Sequence, residues 1–447
     1  MVAIDPTGLT SPRGPGAALL LEGGRILTVG EFLAGVAAVE RALDGAAAVI
    51  NLCEGRAAFL SLFVAALRTR CTTLLPPSRA LDAVQALHRR HPGSRTLADD
   101  VLVGTAGAPA GAPGADLLAA LEAPEQYLAM IGFTSGSTGE PSSHAKYWGS
   151  MLASTRLSGA AIRAALPPEQ RSAMPWIVGT VPSQHMYGME LTVLLPLLEH
   201  MGLHGARPLL PSDVAAALEQ TPSPRVLVST PAHLRAIVAA GVALPRVEVT
   251  VSATAPLDAA LAREVEAATG GVLLEVFGST ETCILGHRRT AQDARWTPYP
   301  GVRFTPTGAT TQVSAPWFRA PEHLQDAIAV GSDGRFALLG RSSDLIDVAG
   351  KRASLADLTQ RVLCVPGVID AVVFQPETTR GLVRRVAALV VAPGLTPNDV
   401  RAGLGPSIDP VFMPRPLCMM VSLPRNAAGK LPRAALESAL AKATGGG

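Results

Sequence analysis

Charge is scarce in this 447-residue chain: Asp, Glu, Lys and Arg make up 17% of it, and the formal net charge is +2. So small a balance gives no reason to expect nucleic acid or an acidic membrane as partner. Scarce charge beside 48% hydrophobic residues excludes a disordered chain. Cysteine is scarce too. Cys53, Cys71, Cys283, Cys364 and Cys418 are odd in number, widely spaced and without a C-x-x-C pair. That argues against a disulfide framework or a zinc site and fits a reducing cytoplasm. No basic segment followed by an apolar run opens the chain, so no secretory leader is expected. The apolar stretch 57–67 is too short to cross a bilayer and reads as a buried helix. No internal repeat is visible.

What is present is a β-α-β rhythm. Residues 48–52 read as a buried strand, 54–68 as a helix, 72–75 as the next strand and 78–90 as another helix. A long helix is expected over 146–165 and one starting at 191–198. Strands are expected at 176–182, 225–229, 247–251 and 273–277, the later ones each running into a turn and then a helix. Near residue 340 the texture changes to a small α+β pattern: a helix at 355–363, strands at 371–374 and 386–391, a helix at 396–404 capped by Thr396 or Asn398, and a last strand at 418–422. The fold class expected is α/β: a large N-terminal domain with mainly parallel sheets over 1–340, and a small C-terminal α+β domain over 341–447 on a hinge.

One stretch stands out: Phe133-Thr134-Ser135-Gly136-Ser137-Thr138-Gly139-Glu140-Pro141, after an apolar run at 128–131. Glycines let a backbone approach an anion and turn its N–H groups inward, and Ser and Thr add hydroxyl donors. This suits phosphate oxygens, so the stretch reads as a nucleotide-binding loop. Loops leaving the carboxyl ends of parallel strands are where α/β folds hold ligands.

Several stretches together resemble the adenylate-forming superfamily of acyl-CoA synthetases, luciferases and peptide-synthetase adenylation domains. Thr134 to Pro141 match its phosphate loop T-S-G-S-T-G-x-P-K, with Ser142 in place of the lysine and Lys146 the next basic side chain along with His144. Pro182-Ser183-Gln184-His185-Met186-Tyr187-Gly188 resembles the segment whose His lies beside the carboxylate to be activated. Ser252-Ala253-Thr254-Ala255-Pro256-Leu257 resembles S-G-A-A-P-L, a wall of the adenine site. Phe277-Gly278-Ser279-Thr280-Glu281 resembles Y-G-x-T-E. That likeness implies Phe277 stacked on adenine, Thr280 on phosphate oxygens and Glu281 on Mg²⁺. A plainer reading makes Ser279 or Thr280 the cap of a helix. Asp326, Asp333-Gly334 and Gly340-Arg341 keep the spacing of the residues that grip ribose, with Asp326 on the hydroxyls and Arg341 on ribose or phosphate. Ser343, beside Asp344, stands at the hinge. Gly350-Lys351-Arg352 resembles the thioester-channel loop, with Ser354 where a Glu is usual. Pro424 to Arg433 resembles the closing P-x-T-x-x-G-K-x-x-R motif, whose lysine is Lys430.

The resemblance implies a two-step ligase using ATP and Mg²⁺. A carboxylic acid becomes an acyl-adenylate, and a pantetheine thiol then takes the acyl group. Compactness and the Ser142/Lys146 variation resemble the aryl acid:acyl carrier protein ligases of aryl-polyene and xanthomonadin-type pigment pathways. The expected substrate is therefore 3- or 4-hydroxybenzoate, held by His185, Gly188, Thr230, His233 and Cys283. The stretches expected to line that pocket, 186–191, 229–234 and 283–286, offer no charged residue suited to an amino acid's ammonium except Glu190, while His185, Thr230, His233 and Cys283 suit a neutral ring with a hydroxyl. Alternatives are an aryl- or fatty-acyl-CoA ligase and a non-catalytic nucleotide or metabolite binder.

Overall fold

The computed structural model describes residues 13–102, 116–134, 142–307, 310–341, 345–348, 351–376, 385–425 and 431–445. By packing, the chain divides into two compact units, Met1–Val302 with Ala315–Glu322 and Arg303–Ser314 with His323–Gly447.

The first unit holds two sheets. In one, the strands Arg95–Leu97, Ala48–Asn51, Thr72–Leu75 and Leu128–Thr134 are parallel, and Ser142–Tyr147 closes the edge antiparallel. Val49, Ile50 and Leu74 are fully buried, which is why these strands read as continuous apolar runs and not as alternation. The second sheet has a parallel centre of Gly202–His204, Trp176–Gly179, Arg225–Ser229, Val249–Ser252 and Val272–Ser279. The crossover helices are marked at both ends. Thr230 caps Pro231–Ala240, whose first residue is a proline, and Asp258 caps Ala259–Thr269 through Leu261 N–H at 2.8 Å. Gly241 and Gly270 end these helices at φ +60° and +69°, a backbone conformation that glycine adopts without steric cost.

In the second unit, Asp370–Phe374, Ala387–Val391 and Leu417–Met419 form a small sheet. Ala371, Val373, Ala388 and Val390 pack with Leu358, Val362, Val400 and Leu404 of the helices Leu355–Leu363 and Pro397–Leu404. Phe374, Ala387 and Leu389 pack on the other side with Leu436 and Leu440 of Arg433–Thr444. This is the two-residue period of a sheet buried on both faces.

The structure corrects three expectations. Lys146 and Tyr147 end a strand, and the long helix is Trp148–Ala165. The edge of Leu128–Thr134 offers a row of backbone partners that Ser142–Tyr147 satisfies, and Trp148 N–H donates to Tyr127 C=O at 2.9 Å as the helix begins. No helix follows Gly278-Ser279-Thr280-Glu281, so the capped-helix reading fails. The chain reverses, and Cys283–Arg288 pairs antiparallel with Val272–Ser279, pinned by the Glu275–Arg288 ion pair at 2.7 Å. The third is the line of division. Residues 303–314 and 323–340, expected with the first domain, cluster with the C-terminal unit, because Asp326–Val330 pairs with Phe336–Arg341 and packs on Arg303–Pro306 and Thr311–Ser314. The hinge expected at 341–344 concerns motion, and residues 342–344 lie outside the described residues.

Candidate functional site

The site builds from the carboxyl ends of the parallel strands. Val249–Ser252 delivers Ala253, half-buried, and then Thr254, Ala255 and Pro256, all exposed. Thr254 has φ +80°. A β-branched residue rarely enters that region, and holding it there costs about 1–3 kcal/mol. The expected adenine wall is thus a stretch of exposed, strained backbone.

The next strand delivers the hairpin turn. Gly278 sits at a bulge where a Cβ would come 2.2 Å from Cys283 C=O, and Cys283 itself has φ +63°. Ser279 N–H donates to Thr282 Oγ1 at 3.2 Å, closing the turn. Thr280 turns its methyl toward Gly132, on the strand that leads into the Ser/Gly loop; a Cβ at Gly132 would lie 3.6 Å from it. Glu281 keeps its carboxylate partly exposed, with His144 Nδ1 3.7 Å away. Burial alone raises this carboxyl's pKa. The Ser279 hydroxyl, the residue's own N–H and the charges of His144 and Lys146 outweigh burial and bring it below the usual value. Phe277 is buried with its ring 5.7 Å from Trp296, which in turn carries Arg288 over its face at 4.4 Å.

A second group gathers nearby on the same sheet. His185 is half-buried at the head of the short helix Met186–Met189. Gly188 is needed for packing: a Cβ there would meet Pro182 C=O at 2.0 Å. Tyr187 ties the helix to the sheet, donating to Ser229 C=O and Val251 C=O at 2.9 and 2.8 Å. Thr180 Oγ1 contacts Ser229 Oγ at 3.0 Å and His233 Nδ1 at 2.8 Å, while Thr230 Oγ1 accepts from His233 N–H at 3.4 Å. Thr180 and Ser229 were not singled out from sequence; their one signal was position, at the ends of parallel strands. Cys283 is buried, and burial pushes its thiol up to about 12, so it is no thiolate nucleophile.

Glu190 opens a five-residue π-helical segment, Glu190–Leu194, and points inward. Its carboxyl accepts from Ser154 Oγ at 2.5 Å and Ile284 N–H at 3.2 Å. Burial pushes it up to about 7 against these hydrogen bonds and the Lys146 charge. The raised pKa means that Glu190 holds its proton longer folded than unfolded. Its contribution to stability is full below about 4.5 and is lost as pH rises through about 7, a swing of about 3 kcal/mol. Glu190→Gln is expected to flatten stability over that window by this amount, read from denaturant titrations at stepped pH.

In the second unit the spacing of the residues expected at ribose is that of a hairpin. Asp326 pairs directly with Arg341, and Asp333-Gly334 forms the turn, with Gly334 at φ +78° and Gly331 N–H donating to Arg335 C=O at 2.7 Å. Asp326 is half-buried. For Thr134 and Arg341 the backbone alone is described. Ser135, Gly136, Ser137, Thr138, Gly139, Ser343, Gly350 and Lys430 lie outside the described residues. Of the described residues on either side of Lys430, Arg425 holds Asp370 at 2.8 Å, and Arg433 donates to Gln375 C=O at 2.8 Å.

Residues 43–313 match the family described as AMP-binding enzyme. The chain is 30% identical over 303 residues to a 4-coumarate–CoA ligase of Cereibacter sphaeroides, covering 67% of this chain and 69% of that one. Its fold matches ATP-bound MatB from Rhodopseudomonas palustris at TM-score 0.75 and 19% identity, over 95% of this chain and 96% of that chain. It also matches the O-succinylbenzoate coenzyme A synthetase of Bacillus subtilis, in complex with ATP and magnesium ion, at TM-score 0.73 and 17% identity over 94% and 96% of the two chains. A family match over residues 43–313, joined to the 4-coumarate–CoA ligase relationship, shows that this chain belongs to the AMP-binding enzyme family.

Proposed function

We propose that the protein is an ATP-dependent, AMP-forming acid–thiol ligase that activates an aryl acid. The observation that carries this reading is the seat of Thr280 and Glu281: the turn lies against Gly132, on the strand that runs into the Ser/Gly loop. A turn that carries a carboxylate therefore lies beside the strand that leads to the Ser/Gly loop, at the strand ends where α/β folds hold ligands. Ser135, Gly136, Ser137, Thr138 and Gly139 are assigned to the phosphates, the Ala253–Ala255 backbone with Phe277 and Gly278 to adenine, and Asp326 with Arg341 to ribose.

Glu281 fits Mg²⁺: a partly exposed carboxylate held ionised is the hard oxygen ligand that this ion takes. When bound, Mg²⁺ would neutralise charge on the phosphate oxygens. The substrate carboxylate oxygen attacks the α-phosphorus, the bond to the β-phosphate breaks, and pyrophosphate leaves. Positioning and fixed charge suffice for this step, with Lys430 facing the charge that builds on phosphorus. The C-terminal domain then turns about the 341–344 hinge, and a thiol sulfur attacks the acyl carbon, releasing AMP.

His185, Gly188, Thr230, His233 and Cys283 are assigned to the acid. The Ser229–Thr180–His233 chain is hydrogen-bonding and carries no carboxylate, lysine or arginine, which suits a ring hydroxyl such as that of 3- or 4-hydroxybenzoate. Glu190 is turned into the Ser154–Ile284 contact, which removes the one anion suited to an amino acid's ammonium. An acyl carrier protein is our first choice of acceptor. Coenzyme A is the second reading, favoured by the 4-coumarate–CoA ligase relationship.

Pyrophosphate release with ATP, Mg²⁺ and a panel of carboxylic acids tests the reading. Hydroxybenzoates are expected to lead the panel, and silence across it would favour a nucleotide binder. Adding coenzyme A or a phosphopantetheinylated carrier protein then decides the acceptor.

A further inference from the structure

A lysine is buried beneath the Glu281 turn. Lys146 is 3% exposed on the edge strand Ser142–Tyr147, in a chain whose phosphate loop has Ser142 where a lysine is expected. Its ammonium reaches across to the hairpin of the other sheet and donates to the Glu281 main-chain carbonyl at 2.5 Å. That carbonyl lies in the tight reversal between Val272–Ser279 and Cys283–Arg288, where Gly278 has no room for a Cβ and Cys283 takes φ +63°. A turn so constrained has few conformations, and a charged donor at 2.5 Å selects among them.

The surroundings of Lys146 form a built set. Glu190, 1% exposed, lies close enough for the two charges to interact. Glu190 also accepts the Ile284 N–H, three residues beyond Glu281, so both members of the pair grip the hairpin. Ser154 completes the set, donating to Glu190 at 2.5 Å. Lys is almost never fully buried unless paired, and here the pairing ends on the backbone of the turn. On the same strand, His144 stands 3.7 Å from the Glu281 carboxylate itself. One strand therefore contacts Glu281 twice, at its carbonyl from Lys146 and at its carboxylate from His144.

We propose that Lys146 is a positioning residue that fixes Glu281 from below, so that the strand after the phosphate loop supplies a cation which the loop itself lacks at Ser142. Lys146 acts through the main chain of the turn and does not touch substrate. The assignment rests on the ligase reading of Glu281.

The test uses the full chain with ATP, Mg²⁺ and the best acid of the panel. Lys146→Met keeps the length of the side chain and removes the donor. It is expected to raise the free Mg²⁺ needed for half-maximal pyrophosphate release, and the KM for ATP, by about tenfold, which is what loss of one charge-assisted hydrogen bond costs. The KM for the acid is expected to stay unchanged. Lys146→Arg, which retains the charge and a donor, is expected to recover part of the loss. If Lys146→Met fails to fold, Lys146→Gln, which removes the charge and shortens the reach, decides: Mg²⁺ and ATP dependence equal to the starting protein overturns the proposal. A double-mutant cycle with Glu281→Gln is expected to be non-additive, since both changes act on one residue. A folded Lys146→Met protein whose kcat falls with no change in Mg²⁺ or ATP dependence makes the lysine a core residue only. An unmodified protein that neither releases pyrophosphate nor binds ATP by calorimetry overturns the ligase reading, and the assignment with it.

Discussion

Lys430→Ala protein is expected to lose acyl-adenylate formation by a factor of about 10²–10³, while still passing a preformed acyl-adenylate to the thiol. The magnitude is that of removing one preorganised donor from a site where charge develops, about 2.7–4 kcal/mol of barrier. The selectivity follows from the order of events. Negative charge builds on the α-phosphate oxygens in the first step, and an ammonium there stabilises it. In the second step of the proposed mechanism the attack is on the acyl carbon and no longer on the α-phosphorus, so Lys430 is not required. The described residues on either side have partners, Arg425 on Asp370 and Arg433 on Gln375 C=O. Isotope exchange between pyrophosphate and ATP reads the first half-reaction, and thiol acylation from synthetic acyl-adenylate reads the second. Equal loss in both halves, or none in the first, removes Lys430 from the mechanism.

Arg56→Met is expected to cost the fold about 3 kcal/mol and to raise the KM for the acid. Arg56 is 1% exposed, at the start of the helix Arg56–Arg68. Its guanidinium donates to Gly179 C=O at 2.8 Å, Val181 C=O at 3.1 Å and Ser183 Oγ at 3.3 Å, with Ala206 C=O at 3.5 Å. None of these partners is a carboxylate; burial, and then the Arg207 charge, lower its pKa to about 9. Removing a buried charge is favourable by itself, yet the orphaned acceptors lose more, at about 1–3 kcal/mol each where water does not replace the donor. Gly179 shows how closely the site is built, since a Cβ there would lie 2.7 Å from Arg56 Nη2. Val181 and Ser183 lead into His185, so a loosened loop is expected to weaken the acid and leave ATP unaffected. Denaturant unfolding reads the first effect, and separate KM values for acid and ATP read the second. A change in both KM values together would reduce Arg56 to a general support.

Much of the fold was legible because its signals are local. Apolar runs such as 225–229 and 273–277 mark strands buried on both faces, and the helix at Leu355–Leu363 has the bounds expected from its pattern. Thr396 was one of two expected caps, and its side chain accepts from Asp399 N–H at 3.3 Å while Asp399 reaches back, completing a capping box. The errors fell where partners are distant in sequence. Lys146 and Tyr147 have nothing against a helix in their own neighbourhood, and the edge of Leu128–Thr134 made them strand. The residues after Glu281 became a hairpin because Arg288 returns to Glu275.

The sequence by itself determined the family, the α/β class, and the order of the residues expected to handle phosphate, adenine, ribose and acid. Those features depend on residue type and spacing along the chain. Tertiary structure alone decided what the polar residues face. It turned Glu190 inward to Ser154 and Ile284, buried Cys283 so deeply that its thiol keeps its proton, and joined Thr180, Ser229 and His233 across two strands. It also carried the Lys146 ammonium to the carbonyl of Glu281, 135 residues away. The physical reason is common to all of these. A buried polar group must find a partner, and the partner it finds is set by which strands lie side by side, a pairing that no local pattern encodes.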